Sequence, residues 1–293
     1  MAQEKTNGFI KIQNMMESKT PFFIGRLSGN EAAITGQCLT NNVRQQTVLH
    51  TTNGAGLYFN DYNSIKDFVR LYFSAIKNCD LLGIWDGGMK SQAIELYNLL
   101  DKIKKPEDCV PAQCVEPYYF LRPTHYNVGL DYKFNQLIKG KRILILSSHV
   151  KTIQQQLEKL DDIFPGHKIF EDNKFVILQP PVTNAGNHNN IDWREYFKAF
   201  KEKIYERRND FDIVFGSCGG YGMIVCDYIY KELGKSCIYM GGGLQILFGI
   251  MGERWKNNQA LIDYGYKNNP NWCTPLPDDI PKNYKFVEGG CYW

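Results

Sequence analysis

The chain lacks any apolar run approaching the roughly 18–20 residues that cross a bilayer. Its first residues, MAQEKTNGF, carry no apolar signal core. Neither a transmembrane segment nor secretion is expected. There is no CxxC pair: the nine cysteines, at 38, 79, 109, 114, 218, 226, 237, 273 and 291, are odd in number and irregularly spaced. That pattern argues against a zinc cluster and against a disulfide framework. Cys226 and Cys237 lie inside apolar runs and read as small core residues. A reducing compartment fits best, the cytoplasm, or a host cytoplasm were the source viral. One-sided charge is also absent, since the net charge is only +3. The densest basic group, Lys201, Lys203, Arg207 and Arg208, reads most simply as the solvated face of a helix, so no nucleic-acid partner is expected. No GxxxxGK[ST] occurs, which excludes a P-loop ATPase, and no GxGxxG occurs either.

What is present is a strand–helix alternation. Pro21–Gly25, Leu81–Trp85, Arg142–Ser148, Phe175–Gln179, Phe211–Phe215 and Ser236–Met240 are short apolar runs bounded by turn residues. Between them, Ser64–Cys79 repeats apolar residues at helical spacing through Ile65, Phe68, Val69, Tyr72, Phe73 and Ile76. Further helices are expected over Ser91–Ile103, Thr152–Phe164, Trp193–Arg208, Met223–Leu233 and Leu244–Ile250. Continuous apolar strands alternating with amphipathic helices predict an α/β fold, a Rossmann-like, mostly parallel sheet with helices on both faces. The chain is expected to form one α/β domain over 1–293, compatible with two halves (1–138 and 139–267) and a tail, 268–293, wrapping the surface. The stretch 106–127 gives no assignable pattern.

In open parallel sheets, ligands bind beyond the carboxyl ends of the strands. That rule selects the loops 26–31, 85–88, 147–151, 180–190 and 216–222, with 241–243 beside the last. Gly216-Ser217-Cys218-Gly219-Gly220-Tyr221-Gly222 is the strongest signal. Its glycines permit close backbone approach, and a helix starting at once would offer free N–H groups to a phosphate or carboxylate. A tight strand–helix turn is the plain alternative. Gly242 and Gly243 follow the next strand, which ends Tyr239-Met240-Gly241 without the acid that holds a ribose. Glu31 and Asp86 are acids at the right end of their strands. Each could serve as a general base on a hydroxyl or as a metal ligand. Otherwise Glu31 is a first-turn helix acid and Asp86 an N-cap. Arg26 could hold a phosphate bidentately or form a salt bridge. Ser148 and His149 end the strand RILILSS, and Asn184 and His188 lie in the loop 180–190, the place of an acceptor or lid contact. His50, His125 and His167 have no such address. The one DxD, Asp210-Phe211-Asp212, precedes its strand and therefore lies at the wrong end of the sheet. Asp161-Asp162 and Asp278-Asp279 read as surface pairs.

Two segments together resemble a known family. Phe23–Glu31, FIGRLSGNE, resembles the RxGDGE segment of the GT-D fold glycosyltransferases, and FDIVFGSCGGYGMIVCDYIYKELGKSCIYMGGGLQ resembles that family's later strand–loop–helix–strand. The resemblance implies an enzyme moving a sugar from a nucleotide-sugar donor to a hydroxyl of a glycan or glycoprotein acceptor. On it, Arg26, Ser28, Gly29, Asn30, Ser148, His149, Gly216, Ser217, Gly219, Gly220, Tyr221, Gly222, Gly242 and Gly243 would hold the donor, and Glu31 or Asp86 would be catalytic. The family's Asp-x-Glu pair falls on Gly29 and Glu31, so a Mn2+ or Mg2+ would keep only Glu31. A sugar-phosphate isomerase, a hydrolase of a phosphorylated metabolite, and a non-catalytic nucleotide-binding or assembly protein are the other readings. An oligomer is compatible with any of them.

Overall fold

The computed structural model describes residues 2–18, 20–116, 134–166, 168–263 and 265–293. His125, His167 and the later part of 106–127 lie outside the described residues.

Seven strands form one parallel sheet: β1 (Phe23–Arg26), β2 (Leu81–Ile84), β3 (Cys109–Pro111), β4 (Arg142–Leu146), β5 (Lys174–Leu178), β6 (Ile213–Gly216) and β7 (Ser236–Tyr239). Their order is β3-β2-β1-β7-β6-β4-β5. The expected Rossmann-like architecture is therefore present, and the sheet runs without a break from the first half of the chain to the second. β1 lies between β2 and β7, pairing Ile24 with both Leu81 and Ile238.

Alternate strand residues point to opposite faces of a sheet, and here both faces are apolar. Phe23, Leu82, Leu144, Leu146, Val214 and Cys237 enter one core, under the helices Gly29–Leu39, Tyr62–Asn78, Trp193–Glu206 and Gly222–Leu233. Ile24, Leu81, Ile143, Ile145, Ile213, Phe215 and Ile238 enter the other, under Ala2–Glu17, Phe134–Ile138 and Val150–Leu157. This double burial is why the strands read as unbroken apolar runs. Two helices expected to be continuous are interrupted: Gly88–Gln92 and Ile94–Leu100 meet at Ala93, and Val150–Leu157 is followed by a separate turn, Leu160–Ile163. The segment Gly241–Phe248 is a 3-10 helix.

β4 leads outward to β5, whereas β6 leads the other way to β7. The connections diverge at the β4–β6 boundary, and such a divergence opens a crevice above the strand ends. Beyond β7 the chain returns to this end of the sheet. Asp279, expected at the surface, is buried instead. Its carboxylate accepts hydrogen bonds from the Lys151 N–H (3.2 Å), the Thr152 N–H (2.7 Å) and the Thr152 hydroxyl (2.6 Å), capping the helix that follows β4.

Candidate active site

A cavity of about 490 Å³ opens over the carboxyl ends of β1, β4, β6 and β7. Small-molecule sites fall in this range. Of the residues singled out from the sequence, Arg26, Ser28, Gly29, Asn30, Glu31, Ser148, His149, Asn184, Ser217, Gly219, Gly242 and Gly243 line it.

Glu31 is fully buried in the first turn of the helix Gly29–Leu39. Burial is the largest influence and raises its pKa. Its own backbone hydrogen bond, the Ser28 side chain and the charge of Arg26 pull the other way without overcoming it. A carboxyl whose pKa is lifted this way binds a proton more tightly than an exposed one, which makes it the stronger base once ionised. Arg26, the last residue of β1, is buried beside it. One terminal nitrogen, Nη1, donates to Glu116, and the guanidinium carbon is 5.3 Å from the Trp85 ring centre and 5.9 Å from that of Tyr239. Burial raises the Glu116 pKa, while Arg26 and Arg254 lower it. Both readings of Arg26, salt bridge and ligand contact, remain chemically open, because Nε has no hydrogen-bond partner.

His149 precedes the helix Val150–Leu157 and is buried. Burial depresses its pKa to about 4, against the opposing pull of Asp279 and the Tyr292 backbone, so the imidazole is neutral at physiological pH. Its Nε2 has no hydrogen-bond partner, and its ring centre is 6.4 Å from that of Trp293.

The glycine-rich segments have a different role from the expected one. Gly216, Gly220, Tyr221 and Gly222 do not line the cavity. A Cβ on Gly220 would come within 2.5 Å of the Leu57 side chain, and one on Gly222 within 2.0 Å of the Tyr239 ring. Tyr221 is buried, its hydroxyl 3.4 Å from the Gly56 carbonyl. Gly220 and Gly222 are small, and Tyr221 is turned inward, so that the helix can pack against its neighbours; they stand behind the cavity wall, as does Gly216, whose nearest neighbours lie at 3.5 Å and beyond. Gly219 does reach the cavity, with φ of +52°, and its carbonyl accepts from the Tyr239 hydroxyl (3.0 Å). After β7, a Cβ on Gly241 would strike the Arg26 guanidinium at 1.7 Å, and one on Gly242 the Tyr292 ring at 2.1 Å. This run of glycines makes room for an arginine and a tyrosine.

Asp86 is exposed and outside the cavity; its neighbour Trp85 is the residue that reaches it. His188 is also outside, stacked on Tyr58 at 4.3 Å with Nδ1 accepting from the Asn190 N–H. Asp212 lies at the opposite end of the sheet, held by the Arg142 guanidinium at 2.6 Å and 3.1 Å.

Several lining residues had no signal in the sequence. Glu116, Arg254, Glu288, Tyr292 and Trp293 come from short turns and irregular segments with no periodicity to read, and Gln245 from a helix expected only as packing. Arg254 pairs with Glu288 and lies 4.6 Å from the Tyr292 ring centre. The last residues of the tail thus form part of the wall. Among the described residues no three of His, Cys, Asp and Glu gather as a metal site, and two of the three lining carboxylates are engaged by Arg26 and Arg254.

No protein-family model matches the chain, and neither a curated protein nor a solved structure matches it significantly. Among the described residues, no helix is long and apolar enough to cross a membrane.

Proposed function

We propose that this chain is a glycosyltransferase that moves a sugar from a nucleotide-sugar donor to a hydroxyl of a glycan or glycoprotein acceptor, with Glu31 as the general base. The observation that carries the reading is Glu31 itself: a buried carboxyl with an elevated pKa, at the end of β1, in a cavity of about 490 Å³. In the step proposed, ionised Glu31 takes the acceptor's hydroxyl proton as that oxygen attacks the anomeric carbon. The bond from carbon to the diphosphate oxygen breaks, and the nucleoside diphosphate leaves with the electron pair. Arg254, exposed where Arg26 is buried, is the lining cation on which the leaving charge falls.

The test begins with thermal shifts in a panel of nucleoside diphosphates and nucleotide sugars, with and without Mn2+. On whichever donor binds, Glu31→Gln keeps the shape of the side chain and should lower turnover by about 10²-fold or more, the usual scale of a positioned acid–base group. Normal turnover in that variant would sink the assignment.

A second reading, a sugar-phosphate isomerase, draws on one further observation. His149 is held neutral near a carboxyl-bearing wall, and a base plus a neutral imidazole donor is the equipment for enolisation beside a carbonyl. Uptake of solvent deuterium next to the carbonyl of a ketose phosphate would favour it over transfer.

A further inference from the structure

Buried polar atoms are nearly always hydrogen-bonded, so a cluster of unpaired ones calls for an occupant. Four side chains lining this cavity are at least nine-tenths buried and each leaves a polar atom without a partner: Arg26 Nε (8% exposed), His149 Nε2 (4%), Gln245 Oε1 (1%) and Trp293 Nε1 (7%). Their chemistry is mixed. The arginine and indole nitrogens can only donate. Gln245 can only accept at its free atom, because its Nε2 is already tied to the carbonyls of Ile250 (3.2 Å) and Tyr292 (3.3 Å), which fixes which end of the amide is which. A neutral imidazole nitrogen does one or the other according to its tautomer.

We propose that the interior of this cavity selects an uncharged, hydroxyl-rich ring and rejects acidic ones, with Gln245 and His149 as the specificity-determining residues. A hydroxyl both donates and accepts, so only a ligand bearing several can satisfy the whole set. A fully ionised phosphate or carboxylate group accepts only. It would meet Arg26 and Trp293 but would leave the Gln245 oxygen unpaired and facing a negative charge. The charge count points the same way: the lining holds three carboxyl groups, Glu31, Glu116 and Glu288, against two guanidiniums, and each guanidinium is already paired with one of them. An added buried anion would have no counter-charge of its own, and like charges so placed repel one another. The Trp293 ring offers an apolar face, with Tyr292 set edge-on at 5.7 Å. A sugar ring stacked there would turn its C–H face to the indole and its hydroxyls to the polar atoms.

The inference rests on the sugar-transfer reading and identifies the sugar as neutral, with any phosphates left at the mouth. The experiment uses the unaltered chain in calorimetric titrations with matched pairs: a neutral hexose and its uronic acid, each free and as the nucleoside diphosphate conjugate, with inorganic phosphate alongside. The expected result is binding of the neutral ring and at least about 10²-fold weaker binding of the uronate, the scale of an uncompensated buried charge. His149→Phe, which keeps a ring and removes the nitrogens, should weaken the neutral ring by about 10-fold, as for one lost uncharged hydrogen bond. Equal binding of uronate and hexose, or failure of every neutral hexose to bind in either form, would overturn the proposal. The transfer reading is judged separately. If neutral rings are selected but the nucleotide adds no affinity, that reading fails and this inference stands. If nucleotides bind without discriminating the rings, the reverse holds.

Discussion

Burial acts on Glu31 and His149 with one cause and opposite signs: it lifts the carboxyl pKa and depresses the imidazole pKa, because in each case the charged form loses water. For His149 this makes a stability prediction. The folded-state pKa of about 4 lies below the ordinary 6.5, so between those values the unfolded chain binds more protons than the folded one. The contribution is therefore complete above pH 6.5 and is lost as pH falls towards 4, by about 3 kcal/mol in all. Urea denaturation at a series of pH values should show it as a narrowing gap between wild type and His149→Phe; a constant gap would mean that the imidazole titrates freely. For Glu31, activity should rise with pH through a limb above the usual glutamate range, since the base must be ionised and burial opposes ionisation. A limb at the usual value would argue that another group is titrating. Asp210→Asn with Asp212→Asn should leave turnover within a few-fold, because Asp212 is at the amino end of β6, about a strand length of roughly 17 Å from the cavity. Its pair with Arg142 is half exposed, so the stability loss should be about 1 kcal/mol or less. The end-of-strand rule points to Arg26, Glu31 and His149, which line the cavity, since apolar strands announce where they stop. It was silent on Tyr292 and Trp293, whose approach is set by the return path of an irregular tail, and on Gln245, in the 3-10 helix after β7.

At the scale of the element, the loop after β6 shows how one composition serves two purposes. Glycines there could admit a ligand or admit a neighbouring side chain, and sequence cannot separate these because both require a missing Cβ. The structure assigns Gly220 and Gly222 to packing. Gly222→Ala should therefore destabilise by about 3 kcal/mol, as overpacking against Tyr239 does in a core. Gly216→Ala should stay within about 1 kcal/mol, because its nearest neighbours lie at 3.5 Å and beyond. Chemical denaturation of the two variants checks the contrast; similar losses would refute it. Six strands were legible as apolar runs, but β3, Cys109–Pro111, is three residues long and carries a proline, too little for a pattern. The break at Ala93 was equally silent in composition. It accompanies a close helix approach, in which a Cβ on Gly36 would lie 2.3 Å from the Leu96 nitrogen, and such contacts belong to tertiary structure.

Taken whole, the molecule buries seven of its nine cysteines. Burial raises the pKa of Cys79 to about 12 and lifts those of Cys218 and Cys237 well above the ordinary value. Since the thiolate is the reactive form, a thiol reagent should label the native chain slowly, fastest at the partly exposed Cys109 and Cys273, and reach nine only in denaturant. A count well below nine in denaturant, without added reductant, would reveal disulfides. The placement of β1 between β2 and β7 also bears on how the chain is made. Arg26 and Glu31 leave the ribosome early, but the strand that flanks them begins at Ser236, some 210 residues after Arg26 (236 − 26). At about 5–20 residues per second of synthesis, that is a delay of roughly 10–40 s. Throughout it β1 has an open edge, of the kind that invites wrong pairing, and the tail carrying Tyr292 and Trp293 is later still. The cavity is therefore incomplete until Trp293 has emerged, and chaperones that shield exposed strands would have their longest hold on this protein at Phe23–Arg26.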